Sequence, residues 1–358
     1  MRTALLDRVN RIVVKLGTGV LTDSRKQPDL AQMRQLVQQM ARLAQAGKEL
    51  VVVTSGAVGA GMGALGFPKR PGELSELQAC AAVGQSRLMA TYEELFSQHD
   101  LHVAQVLLTH EDLQDHARHL NARNTLKTLL KHRVIPIINE NDAISCTELK
   151  FGDNDKLSAL VAALLPADLL VILTTVDGVI QNFGKADAHT IPTIETIDAA
   201  LEKIAGGTKS DTAVGGMASK IQAAKIVVRS GIPLVIAPGY QTETLDRIMA
   251  GEEAGTLFLP QKGKLQSRKR WIAFFHHPKG TLHVDEGARK ALVENGRSLL
   301  PPGISNCQGK FEAGDVLRIC RLDGSEFARG ISNFDSVTLA TRTSGRAEVI
   351  HRDNLVIL

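Results

Sequence analysis

The sequence predicts an α/β protein: a three-layer sandwich on a mainly parallel central sheet, followed by a small, mostly β domain. Three observations predict it. Short runs of Val, Ile and Leu recur through the first 260 residues. Helical repeats separate those runs. After residue 260 both patterns give way to short strands with many turn residues.

The strand runs are Ile12–Leu16, Leu50–Thr54, Val103–Leu108, Val134–Ile138, Leu169–Thr174 and Leu234–Ala237. They are near-continuous rather than alternating, which is how strands covered on both faces read. Between them, Leu30, Met33, Leu36, Met40 and Leu43 recur at helical spacing, with Gly47 as a C-terminal stop. Leu157, Leu160, Val161 and Leu164 repeat the pattern, as do Ile221, Ala224, Val227 and Val228 before Gly231. Strand and helix in alternation give the covered sheet. The boundaries expected are a domain at 1–260, a linker at 261–274 and a second domain at 275–358. In the latter, Thr281–Val284, Val316–Cys320, Phe327–Ile331 and Val349–Leu358 read as strands.

Composition narrows the function classes. The 358 residues are 44% hydrophobic and 22% charged, values of a globular protein with an aliphatic core, since aromatics are only 4%. A net charge of +4 suits an anionic ligand without requiring nucleic acid. The basic run Lys262, Lys264, Arg268, Lys269 and Arg270 reads as a solvated linker, so RNA binding is not expected. Cys80, Cys146, Cys307 and Cys320 are scattered, with no CxxC pair, so no metal site is expected. Met1 to Asn10 lacks an apolar leader core, and the chain is expected in the cytoplasm. Leu157 to Val176 is long and apolar, but Pro166-Ala167-Asp168 divides it into a buried helix and strand rather than a membrane span.

Ligands of open α/β sheets bind beyond the carboxyl ends of the strands. Val13-Val14-Lys15-Leu16-Gly17-Thr18-Gly19 places a lysine in an apolar strand before a glycine turn. That lysine either snorkels to water or is aimed at a phosphate. Gly61, Gly63 and Gly66 match GxGxxG but start too far from the preceding strand, and they read as loop or close helix packing. There is no GxxxxGK[ST] P-loop. Gly215-Gly216-Met217-Ala218-Ser219-Lys220 opens a helix, where free N–H groups attract anions. The helix dipole disfavours Lys220 there, and a bound anion removes the conflict. Asn139-Glu140-Asn141-Asp142 follows a strand, and Asp153-Asn154-Asp155 opens a helix, where one residue can be the cap but not all three. Two lysines facing carboxylates and amides, without a P-loop, suggest phosphoryl transfer by cationic clamping.

With these motifs assembled, the chain resembles the glutamate 5-kinases of the amino acid kinase superfamily over essentially its whole length. The resemblance rests on Val13-Val14-Lys15-Leu16-Gly17-Thr18, Thr54-Ser55-Gly56-Ala57, Ala82-Val83-Gly84-Gln85-Ser86, Asn139-Glu140-Asn141-Asp142-Ala143, Gly152-Asp153-Asn154-Asp155 and Gly215-Gly216-Met217. Arg268–Trp271 and Val284-Asp285-Glu286-Gly287-Ala288 resemble the linker and start of that family's PUA domain.

The resemblance implies phosphorylation of the side-chain carboxylate of L-glutamate by ATP, the first step of proline biosynthesis, with feedback inhibition by proline and a homo-oligomer (dimer or tetramer). It implies that Lys15 and Lys220 stabilise the transferring group and that Asp155 holds both lysines. Ser55, Asp142, Asn154 and Asn139 would bind glutamate. Lys15, Thr174, Thr175 and the run Val214, Gly215, Gly216, Met217, Ala218, Ser219 and Lys220 would bind ATP, with Mg²⁺ carried mainly by the nucleotide phosphates. Two segments depart from the family. Thr174-Thr175 stands where Thr-Asp is common, followed by Gly178-Val179-Ile180 instead of Gly-Leu-Tyr, and Ala213-Val214 replaces Gly-Thr. Both fall where the nucleotide is expected, so the adenine-side contacts carry over less directly than the glutamate contacts.

Overall fold

In a computed structural model, residues 2–23, 28–144, 154–206, 216–261, 267–275, 278–341, 345 and 347–358 are described. The chain divides into two compact units, Met1–Lys264 and Leu265–Leu358.

The first unit holds an eight-stranded sheet. In chain order its strands are β1 (Arg11–Leu16), β2 (Glu49–Val53), β3 (Val103–Leu108), β4 (Ile135–Glu140), β5 (Leu169–Thr174), β8 (Thr193–Ile194), β9 (Leu234–Pro238) and β10 (Thr256–Phe258); β6 (Ile180–Gln181) and β7 (His189–Thr190) form a separate hairpin. The spatial order is β3-β4-β2-β1-β5-β9-β10-β8. Neighbours are parallel except β9 and β10. Val13, Val51 and Leu170 are fully buried, as near-continuous apolar strands require when helices cover both faces.

One covering helix is Leu30–Gln45. Asp29 caps it by accepting from the Gln32 N–H, and Gly47 turns the chain at a φ of +83°. Its Met33, Leu36, Val37 and Met40 share one buried cluster with Val14, Leu16, Leu50 and Val52. The helices Asn154–Leu164 and Met217–Arg229 supply further cover, and every residue described from Leu157 to Leu164 is buried. The long apolar run is thus a helix, a turn and β5. No described helix is long and apolar enough to cross a membrane.

The twenty-four-residue helix Leu74–Ser97 is the main element that sequence periodicity does not bring out. Its buried side includes Cys80, Gly84 and Gln85, and small or polar residues blur an apolar stripe. It packs against the helix Ala57–Leu65 almost backbone to backbone. A Cβ on Gly61 would come within 1.8 Å of the Cys80 carbonyl oxygen, and one on Gly84 within 1.7 Å of that of Ala57. Of the GxGxxG glycines, Gly61 therefore serves helix packing, and Gly66 ends the helix at a φ of +73°.

β1 turns toward β2 on one side, and β5 crosses to β9 on the other, so the strand order reverses between β1 and β5. In open α/β sheets, ligands bind at such a switch point, beyond the carboxyl ends of the strands. Gly17 and Leu173 meet there, the Gly17 N–H donating to the Leu173 carbonyl at 3.3 Å.

The second unit is a five-stranded sheet in the order β12 (Ile304–Gln308), β11 (Gly280–Val284), β13 (Val316–Cys320), β14 (Glu326–Ile331) and β15 (Leu355–Ile357). Leu282, Leu317, Ile319, Val349 and Ile350 form its core. The strand expected at Val349–Leu358 shortens to Leu355–Ile357, because Arg352–Asn354 make a 3₁₀ turn that breaks the extended run. Lys262 and Lys264 lie outside the described residues. Arg270 departs from the solvated reading of the basic run, because it ends the helix Ser267–Arg270 and is buried.

Candidate active site

Lys15 sits on β1, flanked by β2 and β5. A lysine in the middle of a covered sheet cannot reach bulk water, so it needs a counter-charge inside. Asp155 provides it. The Lys15 Nζ lies 2.7 Å from Asp155 Oδ1. The other carboxylate oxygen accepts from Lys220 Nζ at 3.1 Å and from Ser219 Oγ at 2.6 Å. Asp155 is 0% exposed and each lysine 5%. Three residues distant in sequence meet because β1, the first turn of Asn154–Leu164 and the first turn of Met217–Arg229 converge at the switch point. The snorkelling alternative for Lys15 is thereby removed.

The electrostatics follow from that burial. Desolvation works against ionising Asp155, but the adjacent ammonium groups of Lys15 and Lys220, with the hydroxyl of Ser219, outweigh it and hold the carboxyl below the usual range. Burial pushes the Lys220 ammonium down, Asp155 counters this, and Lys15 adds to the depression. Two cations against one carboxylate leave a surplus positive charge among these contacts. A surplus held away from water favours an anion of high charge density. Gly216 begins the Met217–Arg229 helix with no side-chain cap, so the first-turn N–H groups add to the same field.

A second cluster consists of neutral polar groups. The Asn154 amide nitrogen donates to the Thr54 carbonyl at 2.7 Å, to Ser55 Oγ at 2.9 Å and to Asn139 Oδ1 at 3.0 Å. Asn139 donates to Gln85 Oε1 at 2.9 Å, and Gln85 to Gln105 Oε1 at 3.1 Å. The Tyr92 hydroxyl meets Thr54 Oγ1 at 2.7 Å. Asp142 stands in the turn after β4. Burial and the neighbouring charge of Glu140 push its carboxyl up to about 7, with Arg70 pulling the other way.

Of the residues expected at the site, Lys15, Asp155, Ser219 and Lys220 therefore form one cluster, and Ser55, Asn139 and Asn154 form another. The two are joined through the consecutive residues Asn154 and Asp155. Thr174 ends β5, its carbonyl accepting from the Gly239 N–H at 2.8 Å. Thr175 is exposed, its methyl close to Gly19. Gly216, Met217 and Ala218 lie at the helix start. Val214, Gly215, Asp153 and Cys146 lie outside the described residues. Sequence reasoning gave no role to Gln85, Gln105, Tyr92 or Arg70. Gln85 was visible as part of a motif, but a glutamine on a helix carries no sign of what it faces.

Comparison with known proteins bears on this arrangement. The model of the Amino acid kinase family matches residues 10–238, and that of the PUA domain matches residues 280–353. The chain is 48% identical to the glutamate 5-kinase of Geobacter sp. (strain M21), covering 100% of both chains. It is 47% identical to that of Caldanaerobacter subterraneus subsp. tengcongensis, covering 97% of this chain and 98% of the relative. Carbamate kinase from Giardia lamblia bound to AMP-PNP shares the fold, with a TM-score of 0.52 at 19% identity over 71% of this chain and 100% of that one. The chain belongs to the amino acid kinase family, with a PUA domain following the kinase domain.

Proposed function

We propose that the chain transfers the γ-phosphoryl group of ATP to the side-chain carboxylate of L-glutamate, giving L-glutamyl 5-phosphate for proline biosynthesis. The observation that carries this reading is the buried Lys15–Asp155–Lys220 bridge at the switch point of the sheet. Full-length relatives named glutamate 5-kinase support the choice of acceptor.

The chemistry fits the residues. A glutamate carboxylate is already ionised at neutral pH and needs no general base to attack phosphorus. The difficulty is to bring an anion against a polyanion, which cationic clamping addresses. Lys15 and Lys220 offset the charge on the transferring group, and Asp155 keeps both ammonium groups aimed at it. Ser55, Asn139, Asn154 and Asp142 hold the amino acid. The uncapped helix start at Gly216 to Lys220, with Thr174 and Thr175, faces the nucleotide. Both carboxylate oxygens of Asp155 are occupied by cations, so Mg²⁺ would be carried by the nucleotide phosphates and would supply charge neutralisation there.

Incubation with Mg-ATP and each candidate acceptor, followed by trapping with hydroxylamine, tests the reading. Glutamate should give a hydroxamate, and aspartate and acetylglutamate should not. Product from either of those, with none from glutamate, would overturn it. Millimolar proline should lower the glutamate signal by competing for the same pocket, and an unchanged signal would remove the feedback proposal.

Asp142 predicts a pH dependence. Pairing with the α-ammonium of glutamate needs its carboxylate form. With the carboxyl raised to about 7 by burial and Glu140, the free enzyme is increasingly protonated below that pH. KM for glutamate should therefore climb as pH falls below about 7, approaching roughly tenfold per pH unit, while glutamate's own side chain titrates well below this range. Turnover at saturating glutamate should move less, because the bound ammonium keeps the carboxylate ionised. A flat KM from pH 6 to 8 would remove Asp142 from this role.

A further inference from the structure

The amide chain beneath the second cluster has a direction. The backbone N–H of Glu140 donates to the side chain of Asn139 at 3.0 Å. A backbone N–H can only donate, so the Asn139 atom facing it is the oxygen. The Asn139 nitrogen must then point the other way, where Gln85 Oε1 accepts it at 2.9 Å. With its oxygen committed there, Gln85 turns its nitrogen to Gln105 Oε1. On the other side, the same Asn139 oxygen accepts from the Asn154 nitrogen. That nitrogen also points to the Thr54 carbonyl and Ser55. The Asn154 oxygen is left outside all of these bonds and is the group its amide can offer to a ligand.

Asn139 is 1% exposed and Gln85 8%. At that depth an amide turned the wrong way would leave a donor facing a donor, which is costly to bury. We propose that Gln85 is a positioning residue: the Glu140 N–H and the Thr54 carbonyl set the amide polarity, and Gln85, by accepting from the Asn139 nitrogen, holds Asn139 in place so that Asn154 presents an oxygen to the ammonium group of an amino-acid acceptor. The proposal rests on the reading of the pocket as a glutamate site. Gln85 acts through Asn139, which donates to it and accepts from Asn154. It sits on the helix Leu74–Ser97, which is held against its neighbour by the close approaches at Gly61 and Gly84, so the anchor is rigid.

Two variants test this. Gln85→Met keeps the length and apolar stem but cannot accept from Asn139. It should raise KM for glutamate about tenfold, the scale of one good hydrogen bond, with kcat and KM for ATP changed less than twofold. Gln85→Glu keeps an oxygen toward Asn139. When protonated it donates to Gln105 as glutamine does, and when ionised it accepts from a Gln105 amide that has turned over. Its KM should stay within about threefold of wild type. Equal losses in both variants, an equal rise in KM for ATP, or no change in Gln85→Met would each overturn the proposal. Failure of the wild type to make glutamyl hydroxamate would instead strike at the substrate reading itself.

Discussion

Lys220→Ala should cut turnover with Mg-ATP and glutamate by about 10²–10³, the loss seen when one preorganised charge-stabilising donor is removed from a dry site. The fold should survive. Lys220 lies at the start of the Met217–Arg229 helix, and losing its ammonium leaves Asp155 paired with Lys15 at 2.7 Å and bonded to Ser219. No isolated charge is created. Removing a cation whose ammonium burial already depresses costs little stability, so the melting temperature should move by only a few degrees. KM for glutamate should change little, because the acceptor pocket lies on the Asn154 side. The pattern to look for in steady-state kinetics is therefore a collapse of kcat with a nearly intact glutamate KM. Lys220→Arg should not rescue fully, since a planar fork cannot replace a point charge packed against Asp155 and Ser219. A kcat within tenfold of wild type would show that the surplus positive charge does not act on the transferring group.

Much of this arrangement was legible in the sequence, for identifiable reasons. Lys15 stood out because a charged residue inside an apolar strand is costly unless something answers it. Lys220 stood out because it occupies the wrong end of a helix for a cation. Both anomalies resolve onto one carboxylate. What the sequence did not reveal is that Asp155 is that carboxylate by geometry, since the contact joins three segments distant in sequence, Asp155 and Lys220 alone being 65 residues apart. Family resemblance named it, and the distances give it a physical basis. The layered α/β class was legible from continuous Val, Ile and Leu runs. The antiparallel partner of β9 and the helix Leu74–Ser97 were not. β10 is three residues long and carries no pattern of its own. The helix buries a glycine, a cysteine and a glutamine, where an apolar stripe would be expected. The same blurring hid the amide chain. Gln85, Asn139 and Asn154 are unremarkable polar residues until the close packing of two helices and the end of β4 bring them into line.

Asp155→Asn is expected to be the most damaging change to the fold as well as to the chemistry. It keeps shape and volume and removes only the charge. Lys15 and Lys220, each 5% exposed, would then face one another across a neutral amide. Breaking a buried ion pair by removing one partner costs about 3–5 kcal/mol, because the remaining charge stays desolvated. Here two buried cations lose the carboxylate they share, and a fall in melting temperature on the order of 10 °C follows for a unit of this size. The pH dependence carries a sign. Burial and the charge of Lys15 already depress the Lys220 ammonium, and without Asp155 the charge that counters them is gone, so Lys220 stays below its unfolded value and the folded state binds fewer protons. The variant's stability should therefore improve as pH rises from 7 toward 9.5 and worsen as it falls, with the gap to wild type closing at the alkaline end. In the wild type, by contrast, the depressed Asp155 carboxyl contributes stability that is complete above the ordinary carboxylate range and is lost only in strong acid. Mg-ATP should also narrow the gap, since phosphate oxygens would replace the missing counter-charge and binding to the folded state alone raises its stability by mass action. Thermal melts of both proteins across pH, with and without Mg-ATP, separate these effects. A variant that melts like wild type at pH 7 would mean that the lysines find another counter-charge, and the clamp would then not depend on Asp155.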